Sequence, residues 1–444
     1  MFFLRASPYC LTIYKKQFMS TVGLGYITTN SFNRETERLV LPMDESVCGM
    51  IFDFSDFNSP FDDYYDIRQF FGDGQVQLIN NMEEAENMGI WDNDFMNGVP
   101  YYHINAFYDY VGKDVPLYIC FTDDAKEWSA IEKMQMAAGG KIFNVGIWTT
   151  KPLWINDNNG SLTFSDLCGN VEAATEELTG KVGRQVMTFS PLSTLLCPNT
   201  AFSGVSRSLF DLPNGTKMNC PKLSVCITQD NSFEVLNMQA KNPNKATVGC
   251  LGVLMGCVCL AYAEENIGYV AKFNLNKNDN FENAGVYIGN KAIKVSDMQY
   301  GGNITAREGY IIPKEYDGKE AEVFFSGDPT FSNGDYYCLA NNRVMHKVRR
   351  AVQSALIPYV NGDHLVTTNT GELTATSQAI LVDAITNMLD DCMLNEDKQS
   401  QIASKSVSFT SSKDILKTDE VTLSLNVQPI NYSSVINEKD SFQL

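Results

Sequence analysis

The sequence is poor in positive charge. Its 444 residues include 34 lysines and arginines against 53 aspartates and glutamates, which gives a formal net charge of −19. Nucleic-acid binding relies on clustered cations that neutralise phosphates. The composition therefore argues against nucleic acid as a partner, and a basic groove would have to be a local exception.

Histidine is also scarce, with three residues in the chain: His103, His346 and His364. None stands in an HExxH motif or beside a cysteine pair with metal-ligand spacing, which argues against a metal centre. The chain also lacks a GxxxxGK[ST] phosphate loop and a GxSxG nucleophile motif. The sequence therefore offers no catalytic residue, cofactor site or metal site, and we expect a protein that is not an enzyme.

The cysteines show no paired spacing. All 12 lie outside CxxC motifs, and many stand in apolar runs, which is typical of buried thiols in a reducing compartment. The N-terminal stretch is a poor secretory signal, because Arg5 interrupts its apolar residues and no small-residue cleavage site follows. Met19 is an alternative start of translation.

Long apolar runs are almost absent. The exception is segment 246–263, eighteen residues without a charge, which contains Gly252 and Gly256 at GxxxG spacing. That length is the threshold for a membrane span. The run is rich in glycine and cysteine, however, and the chain has no second candidate. We therefore expect a helix that protein buries on all sides, with no insertion into a membrane.

Strand-length apolar runs alternate with helical segments over roughly residues 46–270. Segments 117–121, 124–138 and 141–148 predict a strand, a helix and a strand, which form a βαβ unit. The strands are almost continuously apolar, as in parallel sheets that helices cover on both faces. The expected strands are 47–54, 76–79, 117–121, 141–148, 194–197 and 223–228, and further helices are expected at 83–88 and 164–182.

Downstream, Asp317 and Gly318 form a two-residue hairpin signal between segments 309–316 and 319–325. Helices are expected at 335–355, before Pro358, and at 376–393. The first of these helices carries a basic cluster, which is either a solvated helix face or a surface for an acidic partner. The cluster consists of Arg343, His346, Lys347, Arg349 and Arg350.

Both ends of the chain show strict period-2 alternation. Near the C-terminus the apolar residues are Val421, Leu423, Leu425 and Val427, with a polar residue between each pair, and Pro429 ends the run. Near the N-terminus the same spacing relates Val22, Leu24 and Tyr26. Such strands need a sheet, and the sequence shows no partner for the C-terminal one within reach. We therefore expect two extended arms that pair with other chains.

Several segments, taken in order, resemble the tail sheath family of contractile phages and related injection machines, in the branch found in Bacteroides-like hosts. The matching segments of the C-terminal half are ENIGYVAKFNL (265–275), EGYIIPKEYDGKEAEVFF (308–325), SNGDYYCLANNRVMHKVRRAVQSALIPYVN (332–361), TGELTATSQAILVDAITNMLDD (370–391) and TDEVTLSLNVQPINYSSVI (418–436). Upstream, YYHINAFYDYVGKDVPLYICF and WSAIEKMQMAAGGKIFNVGIWT are also similar.

The resemblance implies an α/β protomer, a mostly parallel sheet with β-hairpin elaborations and a helical C-terminal subdomain. Its terminal arms would add strands to neighbouring subunits and build a helical tube that contracts around an inner tube. The implied partners are further copies of the chain, the inner tube protein, and baseplate and tail terminator proteins. Assembly would take place in the cytoplasm, and the product would be a virion tail or a phage tail-like particle.

The resemblance also implies that a helix of the C-terminal domain faces the inner tube. In the family that helix is often basic, but the matching helix here carries Asp383, Asp390 and Asp391. Either the tube surface is basic in this system, or the contact is made elsewhere. The alternative contact is the basic face of the preceding helix, with Arg343, Lys347, Arg349 and Arg350.

Two rival functions remain open from the sequence. One is an α/β enzyme that binds a nucleotide or a small acid at the ends of its parallel strands. The other is a different self-assembling virion component. The expected division of the chain is an N-terminal arm (1–45), an α/β domain (46–270) with a variable outer insertion near 154–221, a β-rich hairpin region (271–330), a C-terminal sheath core domain (331–415) and a strand-exchange arm (416–444).

Overall fold

The computed structural model describes residues 44–54, 74–91, 95–112, 114–122, 128–156, 162–180, 192–201, 209, 219–241, 246–277, 281, 283–300, 309–319, 321–368, 370–395, 397–409 and 421–430. The predicted N-terminal arm residues Val22, Leu24 and Tyr26 lie outside this part of the chain, so their role stays a prediction.

The strands, in chain order, are β1 (Cys48–Asp53), β2 (Val76–Ile79), β3 (Leu117–Thr122), β4 (Asn144–Pro152), β5 (Trp154–Asn156), β6 (Leu162–Phe164), β7 (Ser193–Asn199), β8 (Leu223–Cys226), β9 (Thr228–Asp230), β10 (Ala284–Ile288), β11 (Lys291–Lys294), β12 (Tyr310–Ile311), β13 (Pro313–Lys314), β14 (Phe324–Phe325), β15 (Ile402–Phe409) and β16 (Leu423–Pro429).

The helices are α1 (Met82–Asn87), α2 (Phe95–Val111), α3 (Ser129–Ala137), α4 (Leu167–Gly180), α5 (Phe233–Lys241), α6 (Leu251–Leu260), α7 (Val295–Tyr300), α8 (Leu339–Leu356) and α9 (Ala375–Cys392). A short 3-10 turn, Ile357–Tyr359, follows α8 and contains Pro358. The predicted stop of this helix at the proline is confirmed.

Seven strands form the central sheet in the order β12-β8-β7-β4-β1-β3-β2. All neighbouring pairs are parallel except β2 with β3, which is antiparallel. β3, α3 and β4 form the predicted βαβ unit, with β1 between its two strands. The predicted mostly parallel α/β sheet is confirmed.

Helices cover both faces of this sheet, as the continuously apolar strands predict. In β1, Met50 and Phe52 point into the core layer that contains α2 and α6. Ile51 points the other way, into the layer with Ile131 of α3 and Val171 of α4. Successive side chains of a strand alternate between faces, so a strand buried on both sides has to be apolar throughout.

The apolar helix α6 is packed inside the protein. Gly252 and Gly256 face α2, where a β-carbon on Gly252 would lie 2.1 Å from the His103 carbonyl oxygen and one on Gly256 3.0 Å from the Tyr110 β-carbon. The GxxxG spacing therefore serves a close helix–helix crossing in the core. Within the described segments, no helix combines the length and apolarity that crossing a membrane requires.

Several sequence expectations need correction. α2 was missed, because Pro100 within it and its many aromatic residues hide a helical pattern. The predicted hairpin around Asp317 and Gly318 contains the expected turn, but its paired strands β13 and β14 stand further apart in sequence. In the segment expected to be an outer insertion, β7 is an interior strand of the central sheet and α4 packs on it. Among the residues described in this segment, the small β5–β6 hairpin lies outside the central sheet.

The cysteines that the structure describes are free thiols. Ten of the eleven are buried, and Cys392 is partly exposed. The interpretation of the cysteines as mostly buried thiols is confirmed for this part of the chain.

Candidate assembly interface

The C-terminal region consists of the helix pair α8–α9 and the antiparallel hairpin β15–β16. Thr374 caps α9, since its hydroxyl accepts a hydrogen bond from the Ser377 amide at 3.3 Å. Asp328 accepts from the Ala340 amide at 2.8 Å, which places a carboxylate at the N-terminus of α8. The predicted apolar stripe of α9 is buried and consists of Leu381, Ile385, Met388 and Leu389. The last three pack in one cluster with Val344 and Val348 of α8.

The hairpin has one apolar face and one polar face. Val407 pairs with Leu425 and packs with it on the core between α8 and α9. Ser406 pairs with Asn426 on the opposite face, and both side chains are exposed. A two-stranded sheet in water is marginally stable without such packing, so the helix pair holds the hairpin in place.

In the part of the chain that the structure describes, the hairpin is a two-stranded sheet. β15 and β16 pair only with each other among the described strands. Each edge of a two-stranded sheet carries main-chain N–H and C=O groups that point away from the partner strand. Such edges are acceptors for a strand from another chain.

The expectation that the C-terminal alternating strand has no partner in its own chain is wrong. Leu423, Leu425 and Val427 lie in β16, which pairs with β15, while Val421 precedes the strand and is 38% exposed. β15 was missed because its sequence, IASKSVSF, is mostly small and polar. That these four residues contact a neighbouring subunit stays a prediction.

The acidic candidates lie together on α9. Asp383, Asp390 and Asp391 are all exposed on the side of the helix away from α8. Asp390 forms an ion pair with Lys405 of β15, and Ile380 is exposed one turn before Asp383. This face of α9 is therefore free of protein contacts from α8 and carries net negative charge.

The basic candidates on α8 are placed differently. Arg343 is fully buried and donates to the main-chain oxygens of Val258, Ala261 and Tyr262 at 3.1, 2.6 and 3.0 Å. These are carbonyls at and just beyond the C-terminus of α6, where the helix leaves acceptors without an internal donor. Arg343 thus fastens α8 to the central layer.

Arg350 fastens α8 to a second place in the central layer, the segment just before β4. Its guanidinium lies over the Phe143 ring, with 3.7 Å between the central carbon and the ring centroid, and donates to the Ile142 oxygen at 2.6 Å. Burial lowers the pKa of Arg350 to about 9. The cation is therefore held by carbonyl oxygens and an aromatic face inside the protein.

Two of the three remaining members of the basic cluster, Lys347 and His346, are also buried. Lys347 is buried and forms an ion pair with Glu45. His346 is buried against Ser193 of β7, 3.4 Å from Nδ1 to Oγ, and burial with nearby cations lowers its pKa. Arg349 alone in this cluster is partly exposed. The helix face interpreted as solvated is instead the inner face that binds the C-terminal region to the sheet.

The histidines, cysteines and carboxylates of the described residues were predicted not to form a metal centre. No group of three or more histidine, cysteine, aspartate or glutamate side chains there is arranged to hold a metal ion. His103 is a buried structural residue: its Nδ1 accepts from the Gly252 amide at 3.3 Å, so Nε2 carries the proton and donates to the Val248 oxygen at 2.9 Å.

Comparison with known proteins agrees with this architecture. Residues 335–441, which include α8, α9, β15 and β16, match a family model described as "DUF2586, C-terminal domain". No curated protein matches the chain.

Two solved structures share the fold over nearly the whole chain. One is a chain of the PVC sheath complex, an extracellular contractile injection system in its contracted state, with a TM-score of 0.51 and 12% identity over 92% of this chain and 96% of that chain. The other belongs to the anti-feeding prophage (AFP) baseplate, with a TM-score of 0.51 and 12% identity over 96% of this chain and 100% of that chain. The fold of this chain is therefore similar to that of sheath and baseplate components of contractile injection systems.

Proposed function

We propose that this chain is a structural subunit of a contractile tail sheath, which polymerises helically around an inner tube and contracts to drive the tube through a target envelope. The partners are further copies of the chain, the inner tube protein, and baseplate and tail terminator proteins. The observation that carries the proposal is the C-terminal hairpin, two-stranded among the described residues and held on a helix pair in a fold of the injection-system type.

Strand addition suits this hairpin. A strand that adds about six ladder hydrogen bonds, at roughly 1 kcal/mol net each, contributes on the order of 6 kcal/mol before the cost of ordering the strand. The N-terminal segment with Val22, Leu24 and Tyr26 has the required period-2 pattern. A strand from one subunit would thus be held in the sheet of the next, and subunits would stay linked while they rotate during contraction.

The burial of the basic cluster narrows the candidates for the tube contact. Arg343, Lys347 and Arg350 are occupied within the chain, so the exposed face of α9 is the better candidate. Its charge calls for a basic surface on the inner tube.

The test compares two variants of the N-terminal segment by negative-stain electron microscopy and thermal melting. Leu24→Asp places a charge in the apolar set, whereas Thr21→Asp makes the same change among the alternate residues. We expect tubes from the wild type and from Thr21→Asp. Leu24→Asp should give folded subunits with an unchanged melting temperature and no tubes. Tubes of normal length from Leu24→Asp would contradict the arm mechanism.

The same micrographs separate the rival functions. An α/β enzyme would give monodisperse particles of small, fixed size from the wild-type protein. A different virion component would give closed shells or smooth tubes. Helical tubes with a wide lumen and a ridged surface support the sheath.

A further inference from the structure

A polar network with two buried and two partly buried members connects four separate segments of the chain. Its members are Glu45 just before β1, Glu264 after α6, Lys347 in α8 and Gln401 just before β15. Lys347 pairs with Glu45, and its ammonium also donates to the Gln401 side-chain oxygen at 2.7 Å. The network lies where the C-terminal region meets the central sheet.

Gln401 is the centre of this network. Its side-chain nitrogen donates to Glu45 at 3.0 Å and to Glu264 at 2.7 Å, and its oxygen accepts from Lys347. The second carboxylate oxygen of Glu264 accepts from Asn395 at 3.0 Å. Both amide hydrogens and the amide oxygen of a fully buried glutamine are therefore used.

The charges explain why an amide is needed. Two partly buried carboxylates meet the buried ammonium of Lys347, and a charge withdrawn from water is costly unless hydrogen bonds satisfy it. Lys347 pairs with Glu45 and not with Glu264. The two oxygens of Glu264 instead accept hydrogen bonds from the side-chain amides of Gln401 and Asn395. The second oxygen of Glu45 is buried without a hydrogen-bond partner in the described part of the chain. Gln401 itself is fully hydrogen-bonded, so moving it would leave its own amide and its partners Lys347 and Glu264 short of hydrogen bonds.

The network lies between the end of the predicted N-terminal arm and the C-terminal hairpin. Glu45 is the last residue of the predicted N-terminal arm, and Gln401 stands directly before the first strand of the hairpin. We propose that Gln401 is a positioning residue for assembly: through Glu45, Glu264 and Lys347 it fixes the strand-accepting hairpin relative to the root of the outgoing arm. The network thereby sets the geometry between one subunit and the next. This inference rests on the proposed function.

The first experiment measures the network in the unassembled protein. Gln401→Met keeps the volume of the side chain and the Lys347–Glu45 ion pair, but it frees the segment before β15. Gln399→Met is the matched control, because Gln399 is an exposed glutamine two residues away. We expect amide hydrogen exchange in residues 402–409 to become at least tenfold faster in Gln401→Met and to stay unchanged in Gln399→Met. Exchange in β1 and β4 should not change.

Two results overturn the positioning role at this stage: unchanged exchange in residues 402–409, or faster exchange throughout the central sheet. The double variant Lys347→Met with Glu45→Gln removes the ion pair as a neutral couple. It is expected to loosen the same residues, and it answers the same question should Gln401→Met not fold.

The second experiment measures tube length by electron microscopy. We expect at least a threefold fall in median length for Gln401→Met and none for Gln399→Met. Normal tubes from Gln401→Met overturn the inference while the sheath function stands. A wild type that forms no tubes with its inner tube protein contradicts the proposed function, and the assembly role falls with it, although hydrogen exchange still shows whether the network orders the hairpin.

Discussion

A β-carbon on Gly252 would lie 2.1 Å from the main-chain oxygen of His103. The same glycine donates its amide hydrogen to the His103 ring at 3.3 Å. α2 and α6 are therefore in backbone contact at this point, and the sheet face that they cover depends on that approach.

Gly252→Ala is expected to destabilise the protein by roughly 3 kcal/mol, because the contacting atoms are main chain and cannot move aside without separating two helices. The measurement is the free energy of unfolding in denaturant. Gly334→Ala is the control, since the nearest atom to its added β-carbon is a side-chain oxygen at 3.7 Å. Equal stabilities of the two variants would show that α2 and α6 do not pack as described.

His103 should make the protein less stable at acidic pH. Burial lowers its pKa from 6.5 to about 3, so the unfolded chain binds a proton between these values and the folded chain does not. Stability therefore falls as pH falls below about 6.5, by on the order of 1 kcal/mol per pH unit for this residue.

Unfolding measurements at pH 7.5 and 5.5 check this, with His103→Gln expected to show a smaller loss than the wild type. His346 acts in the same direction. Glu172 acts oppositely, because burial raises its pKa to about 7 and its protonation favours the folded state at lower pH. The control is Gln399→Met, a change at an exposed side chain that does not titrate, which should keep the wild-type slope.

Arg350→Met tests whether this arginine is structural. Its removal takes away one of the two donors to the Ile142 carbonyl oxygen, the other being the Gln135 side chain at 2.9 Å, and it removes the contact with the Phe143 ring. We therefore expect a loss of roughly 2 kcal/mol in unfolding free energy. Arg349→Met, at the partly exposed neighbour, should cost less than about 1 kcal/mol. A stable Arg350→Met protein that fails to bind the inner tube would instead restore the basic face as the tube contact.

The acidic face of α9 is tested by charge reversal. Asp383→Lys combined with Asp391→Lys leaves the Asp390–Lys405 ion pair intact. We expect normal folding and loss of co-purification with the inner tube protein. Asp297→Lys, an exposed reversal on α7, should retain the tube. Undiminished tube recovery with the double reversal would exclude this face.

How far the sequence predicts this protein depends on the range of the interactions involved. The strands β1, β3 and β4 and the helix α6 were predictable, because burial on all sides requires uninterrupted apolar residues. The surroundings of Arg343 and Arg350 were not. The carbonyl oxygens that satisfy them belong to segments more than 80 and 200 residues away, so a local pattern of cations indicated a solvated surface.

The hairpin shows the same limit at the candidate assembly site. The alternation of apolar and polar residues predicts β16, whereas β15 consists mostly of small polar residues and has a weak strand pattern. The pairing of β15 with β16 is a tertiary interaction, and it corrects the expectation that the C-terminal strand has no partner in its own chain. It also supplies the sheet to which a neighbour's strand would be added.

The most direct test of the central claim is a cryo-electron microscopy reconstruction of the assembled wild-type protein that resolves individual strands. The account predicts a helical tube in which the β15–β16 sheet has gained at least one strand from an adjacent subunit. Tubes in which this sheet remains two-stranded, or a protein that stays monomeric in the presence of its inner tube partner, would contradict it.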